Sequence, residues 1–304
     1  MKEKNIYPWL VFALLTLIFS GAANFVAAQV PGAGAKTNSK LIYHGGRVLT
    51  GPVDLYFIWY GCWTINCGNS GSENTTNLMI DFGSNVGATP YFEIMTLFTD
   101  GDGHGPAGAL YYGGSAFDQT YSHGLELSEE DIKQIVKQQV EGLHLPQDPN
   151  GIYVLIASAD VDATATGFCT QVGASPLHGT TEIFFTDQRY GFLGNPSRCP
   201  SLEAPQFTGP NGSLVPTPNG DLAGDALASN LAGLLSDIVS DPFGDGWYDR
   251  SGLESGDKCF GTFGQTFTTA NGARANVRLG QRNYLIQQNW VNDRHQRCAM
   301  QLGR

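Results

Sequence analysis

Six cysteines are the feature that most limits how this 304-residue chain can fold. An even number of cysteines in an exported protein predicts a framework of disulfides. Proximity along the sequence favours three pairs, namely Cys62–Cys67, Cys169–Cys199 and Cys259–Cys298. The alternative is a metal site, but residues 62–67 form only a loose Cys-x4-Cys, and no second close pair completes four ligands. We therefore predict a fold that three disulfides stabilise.

The beginning of the chain has the pattern of an export signal. A basic start at Lys2 precedes an apolar run at residues 8–19 and then small residues. This pattern predicts a signal peptide over residues 1–28 and a secreted, extracellular protein. An uncleaved membrane anchor is the alternative, although the run is short for a bilayer core of about 30 Å. Residues 29–40 are predicted to be a disordered lead-in, and residues 41–304 a globular domain.

The charge balance excludes two classes of partner. The chain has 17 basic and 28 acidic residues, which gives a net charge of −11 at pH 7. A surface of that sign repels nucleic acid and anionic lipid. We therefore expect no nucleic acid and, once the signal is removed, no membrane among the partners. An extracellular ligand of unknown identity remains.

Predicted strands and helices alternate along the chain. Runs of β-branched and aromatic residues predict strands at residues 53–60, 91–98, 151–157 and 181–186. Ser128 and Asp131 have the spacing of a helix capping box. A long Leu-rich helix is predicted to begin near Asp221 and to end before Pro242, and a third helix is predicted at residues 74–84. The alternation predicts an α/β fold, a single domain with a mixed central sheet.

Four segments share motifs with one known family. Residues 43–61 contain His-Gly-Gly, Leu-Thr-Gly and an aromatic strand that ends in Trp-Tyr-Gly. Residues 118–136 contain Tyr-Ser-x-Gly-x-x-Leu before a helix, and residues 153–169 form a third matching segment. Residues 218–248 contain Pro-Asn-Gly-Asp, the Leu-rich helix and Asp-Pro-Phe-Gly-Asp-Gly-Trp-Tyr. In order and spacing, these segments resemble the Exordium (phosphate-induced) family.

The resemblance implies location more directly than chemistry. Exordium-like proteins are extracellular or associated with the cell wall and are linked to growth responses. The family has no agreed biochemical activity, so the resemblance implies no catalytic residue. It implies a non-enzymatic binding protein or a growth and cell-surface signalling protein, with a cell-wall component as a candidate partner. This chain departs from the plant pattern in its Cys62/Cys67 pair and in its C-terminal quarter.

A second resemblance concerns residues 241–259. This stretch is similar to the one that follows the active-site helix in some secreted zinc-peptidase-like proteins, and it implies a zincin-like fold as one option. Zinc peptidase chemistry needs two ligands four residues apart with a Glu between them. Counting back from the Asp-Pro step, the ligand positions are Gly233 and Asp237, and the base position is Leu234. No imidazole is present there, so we expect no catalytic residue and no metal, with an unrecognised peptidase- or glycosidase-like hydrolase as the alternative.

Five side chains are candidates for a binding role. Trp247 and Tyr248 follow a Gly-Asp-Gly turn and offer rings for stacking, although large aromatic side chains also suit a core. His178 lies in a loop with Gly and Ser residues, where ordering the loop is its alternative role. Asp237 and Glu254 belong to an acidic series around the end of the Leu-rich helix.

The acidic series after the Leu-rich helix makes calcium the one candidate cofactor. Calcium binds hard oxygen ligands such as carboxylates, whereas the alternative is that Asp and Gly are common in turns. Residues 100–105 (DGDGHG) resemble the start of a calcium loop, but the twelfth position is Tyr111 instead of Glu. We therefore predict that residues 100–105 form a turn.

Overall fold

The computed structural model describes residues 39–64, 66–68, 70–209 and 211–303. The predicted signal peptide and most of the predicted lead-in lie outside the described residues. The helices are α1 (Glu73–Val86), α2 (Glu129–Glu141), α3 (Pro200–Glu203), α4 (Leu222–Ser240) and α5 (Ser255–Lys258). The strands are β1 (Ile42–Tyr43), β2 (Gly51–Tyr60), β3 (Pro106–Asp118), β4 (Gly151–Ala157), β5 (His178–Ile183), β6 (Thr186–Leu193), β7 (Trp247–Tyr248), β8 (Phe267–Thr268), β9 (Arg274–Ala275), β10 (Val277–Leu279), β11 (Arg282–Tyr284), β12 (Asn289–Val291) and β13 (Arg297–Ala299).

A five-stranded mixed sheet forms the centre of the domain, as predicted. Its strand order is β3-β2-β4-β6-β5. The first four strands are parallel, and β5 runs antiparallel to β6 at one edge. The short strands pair as β1 with β7, β8 with β9, β10 with β11, and β12 with β13. The predicted α/β class is confirmed.

Helices cover both faces of the sheet. Alternate side chains of β2 and β4, such as Phe57 and Val154, pack with α1 and α4 into one core. Their neighbours, such as Ile58 and Leu155, pack with α2 into a second core on the opposite face. Because both faces are covered, the central strands are apolar along nearly their whole length. This explains why their runs could be predicted without any alternation of polar and apolar residues.

The predicted helices are confirmed. The α2 helix begins with the expected capping box, in which the side chains of Ser128 and Asp131 each bind the other's backbone N–H. The α4 helix begins after Asp221, whose carboxylate accepts a hydrogen bond from the N–H of Gly224. Among the described helices, α4 is long and apolar enough to cross a membrane, but 83% of its apolar window is buried in the fold. It is the central helix of the domain.

The prediction of a strand at residues 91–98 is wrong. Residues Phe92–Leu97 form a 3₁₀ helix. Its apolar side chains Phe92, Met95 and Phe98 are buried three residues apart, which is the repeat of a 3₁₀ helix. Thr89 starts the helix by accepting hydrogen bonds from the backbone N–H groups of Phe92 and Glu93. The strand that pairs with β2 at this edge of the sheet is β3. Its glycines are poor strand formers, so it was not predicted from the sequence.

The prediction of a strand at residues 181–186 is correct only in part. The segment contains the end of β5, a two-residue turn and the first residue of β6. Phe184 and Phe185 form the turn with φ values of 45° and 63°. Positive φ at both turn positions normally selects Asn or Gly. Because Phe is unusual at both positions, the turn could not be recognised from the sequence.

All three predicted disulfides are present. Cys62 bonds to Cys67, Cys169 to Cys199, and Cys259 to Cys298. The last of these joins α5 to β13, so the C-terminal hairpin is linked covalently to the segment after α4. The described residues contain no free cysteine.

Candidate functional site

The candidate site lies where β5 begins beside the carboxyl end of β6. His178 is the first residue of β5 and pairs with Gly191 of β6. A Cβ at Gly191 would lie 2.8 Å from Cδ2 of Leu234, so the glycine allows α4 to pack closely on this strand. Ligand sites of open α/β sheets lie outside the carboxyl ends of the strands. His178 is thus placed between that edge of the sheet and the long helix.

Glycines also bring the segment after α4 back against the helix. A Cβ at Gly256 would lie 2.4 Å from the carbonyl oxygen of Gly233, so only glycine permits this approach. The N–H of Gly256 donates to Oδ1 of Asp237 at 2.5 Å. Glu254 lies just before α5 in the same segment. The packing of two backbone segments therefore fixes the carboxylates of Asp237 and Glu254 side by side.

Three of the five predicted binding residues meet at this point. Nε2 of His178 lies 2.7 Å from Oε2 of Glu254, and their side chains are only 17% and 15% exposed. Asp237 is 2% exposed. One possible ligand atom from each of the three lies within 4.8 Å of the others. We call His178, Asp237 and Glu254 the buried triad.

Burial sets the electrostatics of the triad. It raises the pKa of Asp237 well above its ordinary value, and repulsion from Asp257 and Glu254 adds to the effect. Burial also raises the pKa of Glu254 to about 7, although His178 opposes the rise. Burial alone would lower the pKa of His178, but the charge and hydrogen bond of Glu254, together with the charges of Asp257 and Asp241, outweigh burial and raise that pKa to about 9. The pair of His178 and Glu254 therefore retains a proton at neutral pH.

A narrow cleft reaches the triad at Asp237. Its empty volume is about 440 Å³, counting the solvent at its mouth. We call it the acidic cleft; the polar and charged side chains that line it are those of Ser175, Glu203, Asn230, Asp237, Asp257 and Gln287. Ser175 donates a hydrogen bond to Asp257. Burial raises the pKa of Glu203 and of Asp257 as well. Several carboxylates that hold protons more tightly than usual thus face one opening, a pattern that is common at functional sites.

The other two predicted binding residues lie away from the triad. Trp247 packs against Phe98 with 5.8 Å between ring centroids, and its Nε1 donates to the carbonyl oxygen of Thr99 at 2.9 Å. Tyr248 stacks on the ring of His44 with 3.6 Å between centroids. Both aromatic residues are half-buried in β7. Their binding role stays a prediction.

The acidic residues after α4 do not form a single loop of ligands. Oδ1 of Asp241 accepts a hydrogen bond from the N–H of Gly246, and Asp249 binds Lys258 and Ser39. Asp100 binds the N–H groups of Asp102 and His104, which makes residues 100–105 the predicted turn. Calcium at the acidic series stays a prediction.

Sequence reasoning missed several residues of the acidic cleft. Ser175, Glu203 and Asn230 come from three separate segments, and Gln287 comes from a fourth. None of these residues belongs to a recognisable motif. Only Asp257 could have been found from sequence, because it shares the acidic series with Glu254.

Comparison with known proteins identifies the family. The family model for the conserved region of phosphate-induced protein 1 matches residues 41–300. The chain belongs to the phosphate-induced protein 1 family. It is 28% identical to Protein EXORDIUM-like 3 of Arabidopsis thaliana, over 84% of this chain and 82% of the relative. It is 25% identical to Protein PHOSPHATE-INDUCED 1 of Nicotiana tabacum, over 84% of this chain and 81% of the relative.

A third relative belongs to the same group. Protein EXORDIUM of Arabidopsis thaliana is 26% identical, over 84% of this chain and 83% of the relative. No solved structure shows significant similarity to this chain. The zincin-like option for the fold therefore stays a prediction. The chemistry of this phosphate-induced protein 1 family member has to be argued from its own side chains.

Proposed function

We propose that this protein is a secreted hydrolase that cleaves peptide bonds of extracellular substrates. The observation that carries the proposal is the meeting of His178, Asp237 and Glu254 beside the acidic cleft. Hydrolysis needs a group that takes a proton from water and a group that gives one to the leaving amine. A buried carboxylate and a pair that retains a proton provide these two properties.

The expected reaction adds water across the peptide bond. A triad carboxylate accepts a proton as the water oxygen bonds to the carbonyl carbon. The carbon–nitrogen bond then breaks, and the leaving nitrogen takes the proton that His178 and Glu254 share. The triad ligand atoms lie within 4.8 Å of one another, which is closer than the roughly 6.5–9.5 Å between the carboxyl groups of inverting glycosidases, so the triad lacks the spacing of that class of enzyme.

The edge of the sheet supports a peptide as the substrate. Strand β5 is the last strand of the five-stranded sheet, and His178 begins it. An edge strand presents unpaired N–H and C=O groups that can bind an extended peptide. A peptide bound in this way would pass His178, the triad residue with which β5 begins.

Secretion is part of the same proposal. The pattern of residues 1–28, the three disulfides and family membership support it. Disulfides form and persist in oxidising, extracellular compartments. A protein exported by this route would meet wall and peptide substrates rather than cytosolic ones.

The test begins with protein collected from the medium of an expressing culture. Mass spectrometry should give a new N-terminus near Gln29 and no free thiol. The protein should then cleave fluorescent casein, and Glu254→Gln should lower the rate by roughly 10²–10⁴-fold. His123→Gln is the matched control, because His123 forms a histidine–carboxylate pair with Asp131, 3.2 Å apart, outside the site. Its rate should equal that of the unchanged protein.

A non-enzymatic binding or cell-surface signalling protein is the second candidate. Tyr111 and Phe117 favour it, since they are 57% and 50% exposed on β3, the other edge of the sheet. Exposed rings can stack on the sugars of a cell-wall component. The same preparation should be mixed with insoluble wall polysaccharide. Retention on that material without cleavage of casein or of soluble wall glycans would favour this candidate and contradict the hydrolase.

A further inference from the structure

We propose that the buried triad binds one Zn²⁺ ion through Nε2 of His178 and carboxylate oxygens of Asp237 and Glu254. The role of the ion in the reaction rests on the proposed function. The presence of the ion is inferred from the side-chain geometry alone. The zinc-peptidase ligand positions along α4 are Gly233 and Asp237, with no imidazole. Here the ligands come from a strand, the end of α4 and the segment before α5, which no sequence spacing reveals.

The geometry is that of a site with an open coordination position. The three possible ligand atoms lie within 4.8 Å of one another, and bonds of about 2.0–2.2 Å to one tetrahedral ion would bring them to roughly 3.3–3.6 Å from each other. His178 and Glu254 are in hydrogen-bond contact at 2.7 Å. Two ligands of a tetrahedral zinc ion lie about 3.3 Å apart, so the two side chains need to separate by only about 0.6 Å. Three protein ligands leave the fourth position for water, as in catalytic zinc sites.

The local charge favours a cation. Asp241 and Asp257 add their charges to those of Asp237 and Glu254 around the single imidazole of His178. Lys258, four residues after Glu254, pairs with Asp249 at 3.1 Å. Buried charges in proteins are normally paired or bound to metal. A divalent ion would take the place of the protons that these carboxylates otherwise hold.

Neighbouring groups already hold one ligand in place. Asp237 accepts hydrogen bonds from the backbone N–H groups of Gly256 and Asp257. Hydrogen bonds of this kind orient ligands in metal sites and are important for affinity. Asp237 also lines the acidic cleft, which gives an ion and its water a route to the triad.

The ligand types indicate zinc rather than calcium. Calcium takes six to eight oxygen ligands, whereas the triad offers one nitrogen and two carboxylates. Imidazole suits zinc and other transition metals. Zinc also has no redox chemistry, which fits a protein with three disulfides. In the proposed hydrolase, an ion at the triad would replace the direct mechanism, because His178 and Glu254 would be ligands instead of sharing a proton, and the ion would supply the activated water.

The test uses the mature, disulfide-bonded protein after treatment with EDTA, with Zn²⁺ alone as the probe. Isothermal titration and elemental analysis after dialysis should give one Zn²⁺ per chain. Glu254→Gln and His178→Gln should each weaken binding about a hundredfold or more, because losing a ligand costs more than losing its supporting hydrogen bond. His123→Gln should bind as the unchanged protein does. Thermal unfolding checks that each variant is folded, and Zn²⁺ should raise the melting temperature of the unchanged protein but not of the two triad variants.

Three results would overturn the inference. They are a protein that retains no Zn²⁺, triad variants that bind Zn²⁺ as tightly as the unchanged protein, or Ca²⁺ bound in preference to Zn²⁺. Turnover plays no part in these measurements, so the two proposals can fail separately. Zinc binding without cleavage defeats only the hydrolase. Cleavage that persists in EDTA, by a protein that binds no zinc, defeats only the ion.

Discussion

Asp249 and Lys258 form an almost fully enclosed ion pair behind the candidate site. Their nitrogen and oxygen atoms lie 3.1 Å apart, and the side chains are 0% and 1% exposed. Nζ of Lys258 also lies 4.4 Å from the ring centre of Trp290. Removing one partner of a buried pair leaves an uncompensated charge, which is strongly destabilising. The ion pair therefore helps to fix α5, which ends at Lys258, against the rest of the domain.

The ion pair predicts how stability depends on pH. Burial alone would raise the pKa of Asp249, but hydrogen bonds from Ser39 and the N–H of Ser251, together with Lys258, lower it to about 2. Because the folded-state pKa lies below the ordinary value of 3.8, this stabilisation is complete above pH 3.8 and is lost as the pH falls toward 2.

Urea unfolding of the unchanged protein and of Asp249→Asn should show this dependence. The difference in unfolding free energy between the two should be large at pH 6 and should shrink steadily below pH 4. Other carboxylates titrate in both proteins and largely cancel in the comparison. A difference that stays constant down to pH 2 would contradict the assigned pKa.

At the scale of elements, two family motifs pack against each other. β1, just before the His-Gly-Gly motif, pairs with the Trp-Tyr motif in β7. The motif itself continues the contact, because the N–H groups of His44 and Gly46 donate to the carbonyl oxygens of Gly246 and Asp245. A Cβ at Gly46 would lie 2.4 Å from the backbone carbonyl oxygen of Asp245, so the second glycine of the motif is needed for the close approach. These motifs therefore have a structural explanation that does not require a ligand.

Trp247 tests that explanation. Its ring contacts Tyr43 and Phe98, and its Nε1 binds the carbonyl oxygen of Thr99. Trp247→Ala should reduce the unfolding free energy by about 2–3 kcal/mol, somewhat less than for a fully buried tryptophan. Trp247→Phe keeps a ring in this position and should lose less, about 1 kcal/mol for the hydrogen bond plus a smaller amount for the missing part of the indole.

Phe267→Ala is the control for Trp247, because Phe267 is 45% exposed in β8. A surface change of this kind usually stays within about 0.5 kcal/mol. Denaturant unfolding of all three variants gives the comparison. If Trp247→Ala unfolds like the control and loses binding to wall polysaccharide instead, Trp247 is a recognition residue and β7 is part of a binding surface.

The sequence predicts some elements of this fold much better than others. The α2 and α4 helices could be predicted because caps and apolar spacing are local signals. Residues 91–98 contain apolar residues that suit a strand. The structure differs because the side chains that become buried are three residues apart, which is the repeat of a 3₁₀ helix. The β3 strand was not predicted because its glycines are poor strand formers. It forms because its backbone pairs with β2, and this pairing cannot be recognised from the local sequence.

The candidate site shows the same limit. Asp237 and Glu254 stand out in the sequence because they belong to an acidic series after one helix. His178 lies far from them along the chain, and its place depends on the turn at Phe184 and Phe185 that sets the β5–β6 register. A constellation built across three elements has no fixed spacing. Its members could be named from sequence, but their contact could not be predicted.

For the molecule as a whole, the disulfides close loops of very different size. Cys62 and Cys67 are 5 residues apart, whereas Cys259 and Cys298 are 39 residues apart. The longer loop contains the small hairpins from β8 to β12 and ties β13 to α5. A cross-link stabilises a protein mainly by restricting its unfolded chain, and the effect grows with the loop.

Removing each bond should therefore have a different cost. The double variant Cys259→Ala and Cys298→Ala should lose about 4 kcal/mol of unfolding free energy, and Cys62→Ala with Cys67→Ala only about 2 kcal/mol. Alanine is the suitable replacement because Cys259 is fully buried and alanine adds no polar group there. Guanidinium unfolding, with circular dichroism as the signal, measures both. The shorter-loop variant also controls for the loss of two sulfur atoms. If both variants lose the same free energy, packing around the sulfurs matters more than restriction of the unfolded chain, and the C-terminal hairpins hold to α5 without their covalent link.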